Sequence, residues 1–345
     1  MKNKLLKISF LLMIISALSA CQLSPSTDTE TEMPPLSVPP DTPVIDEANA
    51  GSLQVILSET ISSGAVNLTW TASGDTFWTQ DLNAALLHDG ESAEVLGRFA
   101  PGIDSAIIDT SPDGKTVAYV LNADDIRLFD LEMESDAVVI TTGFPYSDAF
   151  FSPDGKTLAV PSLEDIKVVF FDTASGEETG SVSGFSTAAP VYSASYSPDG
   201  NTLLWSSRGT VQPMEIASQA LGPTLSHEDF VTAQEISPDG KVIATTAAGM
   251  IGDEYLPLLT LWNADNGNVL AQAALPTYYT SISFSPDSKL IATGGEGGIV
   301  ILTSPYGEEV GRYQTSEAIV DLAFSPDGTR LAAVSKLGLL QIFAP

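Results

Sequence analysis

Short apolar runs, separated by polar turns of one recurring composition, form the dominant pattern along this chain. In one copy, Ala149-Phe150-Phe151 precedes the turn and Thr157-Leu158-Ala159-Val160 follows it. In another, Leu322-Ala323-Phe324 and Leu331-Ala332-Ala333-Val334 flank the same kind of turn. Apolar runs bounded by turn residues are typical of β-strands joined as hairpins. The pattern therefore predicts strand, turn and strand, repeated along the body of the chain.

The turn is Ser-Pro-Asp-Gly or a one-residue variant of it, and it occurs six times. Proline presets φ at the second position, and Gly takes the left-handed conformation that β-branched residues avoid. Turn geometry alone explains why Asp recurs, so these Asp residues are predicted to form turns rather than to bind ligands. The turns begin at Ser111, Ser152, Ser197, Ser237, Ser285 and Ser325, and their Asp residues are Asp113, Asp154, Asp199, Asp239, Asp287 and Asp327.

The spacings between successive turns are 41, 45, 40, 48 and 40 residues. A period of about 40–45 residues is typical of propeller blades with four strands each. A degenerate seventh turn lies at Trp70-Thr71-Ala72-Ser73-Gly74-Asp75, and the last repeat ends one strand short after Phe343. The apolar run Leu53-Gln54-Val55-Ile56-Leu57 supplies the missing strand. The sequence predicts an all-β, seven-bladed β-propeller closed by this N-terminal strand, with six or eight blades as alternatives.

The repeats resemble the WD40 family and its bacterial relatives that carry Ser-Pro-Asp-Gly turns, over about residues 52–345. The third strands carry the resemblance together with the turns, as in Ile126-Arg127-Leu128-Phe129-Asp130, Val168-Val169-Phe170-Phe171-Asp172 and Leu259-Thr260-Leu261-Trp262-Asn263. No repeat ends in Trp-Asp, and the Gly-His pair of the family is absent. The resemblance implies a propeller that binds a partner through its loops.

The N-terminus has the pattern of an export signal. Lys2, Lys4 and Lys7 precede a short apolar run, and small residues then lead to Cys21. This order is typical of a secretory signal peptide, and the run is short for a membrane span. Leu-Ser-Ala-Cys resembles the bacterial lipoprotein signal, which implies cleavage after residue 20 and a lipid on Cys21, the only cysteine. We expect an exported protein, lipid-anchored to the bacterial cell membrane or outer membrane.

Residues 21–51 are predicted to be a flexible tether between the lipid and a propeller at residues 52–345, because they are rich in Pro, Thr and acidic residues. The whole chain has 14 Lys and Arg against 44 Asp and Glu, a net charge of −30. Loss of the three signal lysines leaves 11 against 44, or −33. A chain this acidic repels nucleic acid and anionic lipid and favours a cationic protein partner.

No catalytic motif occurs, so the sequence predicts a protein that is not an enzyme and needs no cofactor. His88 precedes Asp89-Gly90 and is expected to be exposed in a hairpin turn, and His227 is expected in a loop between blades. The segment Asn263-Ala264-Asp265-Asn266-Gly267 is read as a turn between strands, with a calcium loop as the alternative.

One face of the predicted propeller collects acidic and aromatic residues. The loops from strand two to strand three and from strand four to the next blade share this face, and an apolar patch in a charged rim is typical of protein recognition. The alternative is that the aromatic residues pack between blades. The candidate residues are Asp124, Asp125, Phe144, Tyr146, Glu164, Asp165, Phe185, Phe230, Asp253, Glu254, Tyr278, Tyr279 and Glu296.

Two functions remain open from the sequence. The favoured one is a non-enzymatic, envelope-anchored scaffold that binds a protein, a peptide or a glycan at this face. The alternative is a hydrolase or lyase that acts on a carbohydrate or lactone with carboxylates or a divalent ion at the central channel. Fold alone does not decide between them, because one fold hosts many functions.

Overall fold

The computed structural model describes residues 42–61, 67–81, 83–102, 105–121, 125–146, 148–162, 167–183, 193–207 and 209–345. These residues form β-strands joined by turns and loops, and no helix occurs among them. The described chain accordingly offers no helical segment of the length and apolarity that crossing a membrane requires. Cys21 and the predicted signal peptide lie outside the described residues.

Seven antiparallel sheets form the blades of a ring, which confirms the predicted seven-bladed β-propeller. The first strand, β1 (Gln54–Thr60), belongs to blade 7; blade 1 contains β2 (Asn67–Trp70), β3 (Thr76–Gln80), β4 (Ala85–Asp89) and β5 (Val95–Phe99), and blade 2 contains β6 (Ser105–Thr110), β7 (Thr116–Leu121), β8 (Asp125–Asp130) and β9 (Ser135–Thr141). Blade 3 contains β10 (Phe150–Phe151), β11 (Thr157–Ser162), β12 (Lys167–Asp172) and β13 (Glu178–Ser183), and blade 4 contains β14 (Ser193–Tyr196), β15 (Thr202–Ser207), β16 (Thr210–Glu215), β17 (Ala220–Leu221) and β18 (Leu225–Ser226). Blade 5 contains β19 (Val231–Ile236), β20 (Val242–Ile251), β21 (Glu254–Asn263) and β22 (Val269–Ala274); blade 6 contains β23 (Tyr279–Phe284), β24 (Ile291–Gly295), β25 (Ile299–Thr303) and β26 (Glu309–Gln314); and blade 7 is completed by β27 (Ile319–Phe324), β28 (Leu331–Ser335) and β29 (Leu339–Ala344).

The N-terminal strand closes the ring as predicted. Strand β1 pairs with β29 in antiparallel register from Gln54 opposite Ala344 to Thr60 opposite Leu339. Blade 7 thus combines three strands from the C-terminal end with one from the N-terminal side. Pairing the two segments leaves β29 without an open edge, and an open strand edge is a template for aggregation.

The residues before β1 also belong to the propeller, although the sequence placed residues 42–51 in the flexible tether. Ile45 and Ala50 are fully buried, and Leu53 is 6% exposed. The Tyr313 hydroxyl donates a hydrogen bond to the Ala50 carbonyl (2.5 Å) and accepts one from the Leu53 N–H (2.8 Å). The tether was therefore predicted to extend too far along the chain, because the side chains of Ile45, Ala50 and Leu53 pack between blades 6 and 7.

Each Ser-Pro-Asp-Gly turn is held by the same hydrogen bonds, which confirms the turn role of the Asp residues. In blade 3, Ser152 Oγ donates to Asp154 Oδ1 (2.7 Å) and accepts from the Thr157 N–H (3.0 Å). Gly155 has φ of 71°, in the left-handed region. The Ser-to-Asp bond recurs in the other five turns at 2.6–2.8 Å. The Asp carboxylates therefore accept hydrogen bonds from within their own turns.

Turns of one blade pack against the outer strand of the blade before it. A Cβ placed on Gly176 would lie 2.8 Å from Val138 of blade 2, so the turn of blade 3 needs glycine there. In the turn of blade 4, Gln219 Nε2 donates to the Ser181 carbonyl of blade 3 (3.2 Å). These contacts connect each pair of blades away from the centre of the ring.

Candidate functional site

Four of the thirteen predicted face residues, Asp124, Glu164, Asp165 and Phe185, lie outside the described residues. Of the others, Tyr279 is only 1% exposed and belongs to the core of blades 5 and 6, so its predicted place on the surface is wrong. The neighbouring Tyr278 is 47% exposed. The chain enters strand β23 at this point, and the register between β23 and β24 is irregular between Tyr279 and Ser281.

Phe144 and Tyr146 are half-buried and pack against the core between blades 2 and 3. For these two rings the structure favours the alternative of packing between blades. Asp125 is also partly buried, and it accepts a hydrogen bond from Thr141 Oγ1 (2.8 Å) on the adjacent strand. Glu296 is exposed, and its N–H donates to the Tyr278 carbonyl (3.0 Å).

Blade 5 carries a hairpin that extends beyond its own sheet. Strands β20 and β21 are ten residues each and stay paired as far as Ile251 opposite Glu254. The inner strand β19 pairs with β20 only as far as Ala247, and the outer strand β22 reaches only Leu258. The four outermost residue pairs therefore form a two-stranded ribbon of about 13 Å.

Exposed apolar and aromatic side chains gather on and beside this ribbon. Met250 is 44% exposed, Ile251 39% and Tyr255 51%, and Met250 lies directly opposite Tyr255 in the ladder. Phe230, 50% exposed, comes from the loop before β19, and Tyr278 from the loop after β22. We call these five residues, with the acidic residues Glu228, Asp229, Asp253 and Glu254, the hairpin surface.

Hydrogen bonds connect the parts of the hairpin surface that come from different segments. Tyr255 Oη donates to Asp229 Oδ2 (2.9 Å), and the Phe230 N–H donates to Asp229 Oδ1 (2.8 Å). The bond from Tyr255 to Asp229 raises the pKa of the phenol, and the Phe230 N–H together with Tyr255 lowers the pKa of the Asp229 carboxyl. Asp229 is therefore ionised at neutral pH and fixes the Tyr255 ring.

The sequence identified Phe230, Asp253, Glu254 and Tyr278 of this surface but missed Met250, Ile251 and Tyr255. The signal for these was the interval of 48 residues between Ser237 and Ser285, the longest in the chain. An interval above the common value of about 40 indicates extra residues within one blade. Here the extra residues lengthen the hairpin between the second and third strands.

The acidic residues of the hairpin surface form no ion pair within the described chain. No Lys or Arg there forms an ion pair with Glu228, Asp229, Asp253 or Glu254. Asp253 and Glu254 are at the exposed tip of the ribbon. The surface therefore combines exposed apolar side chains with carboxylates that form no ion pair with any described Lys or Arg.

Carboxylates also line the centre of the ring, where the first strands of adjacent blades meet. Asp109 accepts a hydrogen bond from the Phe151 N–H of the next blade (2.8 Å), and Glu235 accepts one from the Phe284 N–H (3.1 Å). Desolvation raises the pKa of Asp109 to about 7 and that of Glu235 to about 8. We assign these groups to fastening one blade to the next, since each already bonds a neighbouring backbone.

The other predicted chemical features have structural roles. His88 is fully buried rather than exposed, because its ring stacks on Phe77 at 4.9 Å and its Nε2 contacts Thr79 Oγ1 at 2.8 Å. His227 packs edge-on against Trp262 at 5.1 Å, and burial lowers its pKa to about 4, so it is neutral. Across the described residues, no three His, Cys, Asp or Glu side chains are grouped to hold a metal ion.

The segment considered as a calcium loop is a turn between β21 and β22. Asn263 Oδ1 accepts hydrogen bonds from the N–H groups of Asp265 (3.1 Å) and Asn266 (3.0 Å). Gly267 has φ of 71° and donates its N–H to the Asn263 carbonyl (2.9 Å). The Asn263 side-chain oxygen, which would have to face a bound ion, thus accepts hydrogen bonds within the turn.

Comparisons with known proteins agree with this architecture. A family model described as "WD domain, G-beta repeat" matches residues 276–303, which cover the loop before β23 and the strands β23 to β25. The comparison with curated proteins found no significant match. Among solved structures, the chain resembles the β-propeller domain of Cps50 (Swd1) from Myceliophteria thermophila, with a TM-score of 0.68 and 13% sequence identity over 85% of this chain and 99% of that one. The chain is thus a seven-bladed β-propeller that contains a WD40-type repeat.

Proposed function

We propose that this protein is an exported, lipid-anchored scaffold that binds another protein through the hairpin surface. The lipid anchor follows from the N-terminal pattern that ends at Cys21, and it stays a prediction until acylation is measured. The propeller supports a binding role because it presents loops from seven blades on a rigid ring.

The hairpin surface is the observation that carries this proposal. Three exposed apolar or aromatic side chains, Met250, Ile251 and Tyr255, lie on a ribbon that no other strand of the described chain covers, and the exposed Phe230 and Tyr278 lie on the segments before β19 and before β23. Soluble proteins rarely expose such clusters without a use, and apolar patches with polar rims mark interaction sites. Tyrosine and methionine are also among the residues enriched at the centre of protein interfaces.

Capture of partners from native membranes tests the proposal. The variant replaces residues 249–256 with Asn-Gly, which removes the ribbon and closes the hairpin above the Ala248–Pro257 pair with a favoured two-residue turn. We expect crosslinked partners to be lost from this variant and retained by Tyr306→Leu, which changes a tyrosine 81% exposed on blade 6. Equal capture by the shortened variant, with an unchanged melting temperature, would place the binding site elsewhere.

A separate variant tests the anchor. Cys21→Ser removes the only thiol that could be acylated, and we expect the protein to leave the membrane fraction and to appear as an uncleaved precursor. Fractionation and intact mass measure both effects. Membrane partition at the wild-type level would contradict the lipid anchor. It would not bear on the proposal that the hairpin surface binds a protein.

A further inference from the structure

Two tyrosines of the hairpin surface are exposed. Tyr255 is 51% exposed and Tyr278 is 47% exposed. They come from different segments, since Tyr255 lies on β21 and Tyr278 precedes β23. The face of an aromatic ring attracts a cation within about 6 Å of its centre.

The Tyr255 ring is held in place before any partner binds. Its hydroxyl is bonded to Asp229, and Asp229 is in turn held by the Phe230 N–H. A ring fixed in this way loses little conformational entropy on binding, which favours affinity. The bond also places an ionised carboxylate at the edge of the ring, where it adds to the attraction for a cation.

The described charged groups of the hairpin surface are of one sign. Asp229 bonds the Tyr255 hydroxyl, and Glu228 Oε2 lies 4.0 Å from the Cβ position of Gly249 on the ribbon. Asp253 and Glu254 add two more carboxylates at the tip, and within the described chain none of the four is paired with Lys or Arg. Such a site favours a partner that supplies the missing positive charge.

An apolar side chain adjoins Tyr255. Met250 lies opposite Tyr255 across the ribbon, so the two side chains share a face, whereas Ile251 and Glu254 form the next pair and point to the other face. Met is flexible and adapts its shape to different apolar partners. A bound segment can therefore place an aliphatic side chain on Met250 and a cationic side chain on Tyr255.

We infer that the hairpin surface binds a basic segment of its partner, in which a lysine or arginine side chain lies against Tyr255 and a neighbouring aliphatic residue packs on Met250. This inference rests on the proposed function and states the chemistry of the partner. Anionic lipid and nucleic acid are disfavoured by the four carboxylates. A second copy of the chain would bring the same negative surface, so it also fits less well.

Peptide binding to the full-length protein tests this inference. The probe is a fluorescent eight-residue peptide of alternating arginine and valine, and its control has citrulline in place of arginine, which keeps the shape and removes the charge. We expect the arginine peptide alone to bind, with affinity that falls as salt rises from about 50 to about 300 mM. Fluorescence anisotropy measures both. Equal binding of the citrulline peptide would overturn the inference.

Matched variants separate the specific site from the general charge of the protein. We expect Tyr255→Leu to weaken binding about 3-fold to 30-fold and Tyr306→Leu to leave it unchanged. Asp253→Asn with Glu254→Gln should weaken binding more than Glu177→Gln with Glu308→Gln, which removes the same charge from exposed sites outside the hairpin surface. Equal losses from the two charge pairs, or none from Tyr255→Leu, would contradict the inference.

The outcomes of the two experiments are distinguishable. If membrane partners require the hairpin but the arginine peptide does not bind, the proposed function stands and the basic chemistry is wrong. If partners are captured without the hairpin, the proposed function itself fails. Sedimentation of the wild type and of Tyr255→Leu completes the test, because a dimer lost only in the variant would identify a second copy as the occupant and overturn the inference.

Discussion

Replacing Arg330 with methionine should destabilise the propeller at the junction between blade 7 and blade 1. Arg330 is only 8% exposed, and its guanidinium lies over the Trp70 ring at 4.9 Å. Its Nη1 donates to the Gly90 carbonyl (2.5 Å) and its Nη2 to the Gly74 carbonyl (3.3 Å). Both carbonyls belong to blade 1, so this one side chain joins the two blades where the ring closes.

The expected loss follows from these contacts. Hydrogen bonds to a charged group contribute about 1.5–3 kcal/mol each, and the contact with the Trp70 ring contributes about 1 kcal/mol. Methionine fills a similar volume but leaves the carbonyls of Gly74 and Gly90 without their donor. Removing a buried charge offsets part of the loss. We therefore expect the free energy of unfolding to fall by about 2–4 kcal/mol for Arg330→Met.

Urea unfolding followed by tryptophan fluorescence measures this change, and Arg312→Met is the matched control. Arg312 is exposed and, among the described residues, forms an ion pair with Glu309 of its own strand alone, at 2.6 Å. Surface pairs of this kind contribute about 0–1 kcal/mol. If the two variants unfold with free energies within 1 kcal/mol of each other, the reasoning on the closing junction is refuted.

Two further predictions concern pH and the N-terminal segment. Desolvation raises the pKa of Asp109 to about 7 and of Glu235 to about 8, so the folded state holds these protons more tightly than the unfolded state does. Their contribution to stability is complete at low pH and is lost as the pH rises from about 4.5 to about 8. The melting temperature should therefore fall less steeply with pH across this range in Glu235→Gln than in the wild type. An equally steep fall in both proteins would contradict the raised pKa of Glu235. Tyr313→Phe removes the hydroxyl that bonds Ala50 and Leu53, and we expect it to lower the free energy of unfolding by about 1–3 kcal/mol. Tyr306→Phe, the control, should lower it by less than about 0.5 kcal/mol. Chemical unfolding measures both changes, and equal changes would contradict a stabilising role for the Tyr313 hydroxyl.

The fold was predictable from the sequence because it depends on local chemistry that repeats. A Ser-Pro-Asp-Gly turn needs only four residues to specify its conformation, and its hydrogen bonds stay within six residues of the chain. The period then specifies the number of blades, and the unpaired N-terminal run specifies how the ring closes. These inferences required no knowledge of contacts between distant residues.

The predicted face was correct only in part, because exposure depends on distant neighbours. Tyr278 and Tyr279 are adjacent in the chain, yet one is half exposed and the other is buried. His88 looked like a turn residue, but its register opposite Phe77 places its ring in the core. Burial of this kind is decided by which strand packs alongside, and that information is not local.

The sequence by itself determined the strands, the turns, the number of blades and the acidic character of this protein, since each follows from residue types and spacing along the chain. Only the tertiary structure brought Asp229, Met250 and Tyr255 together on one surface. These residues come from the loop before β19 and from the hairpin of β20 and β21. Their proximity results from strand pairing within blade 5 and from the bond between Tyr255 and Asp229, which are 26 residues apart, so no short stretch of sequence encodes it.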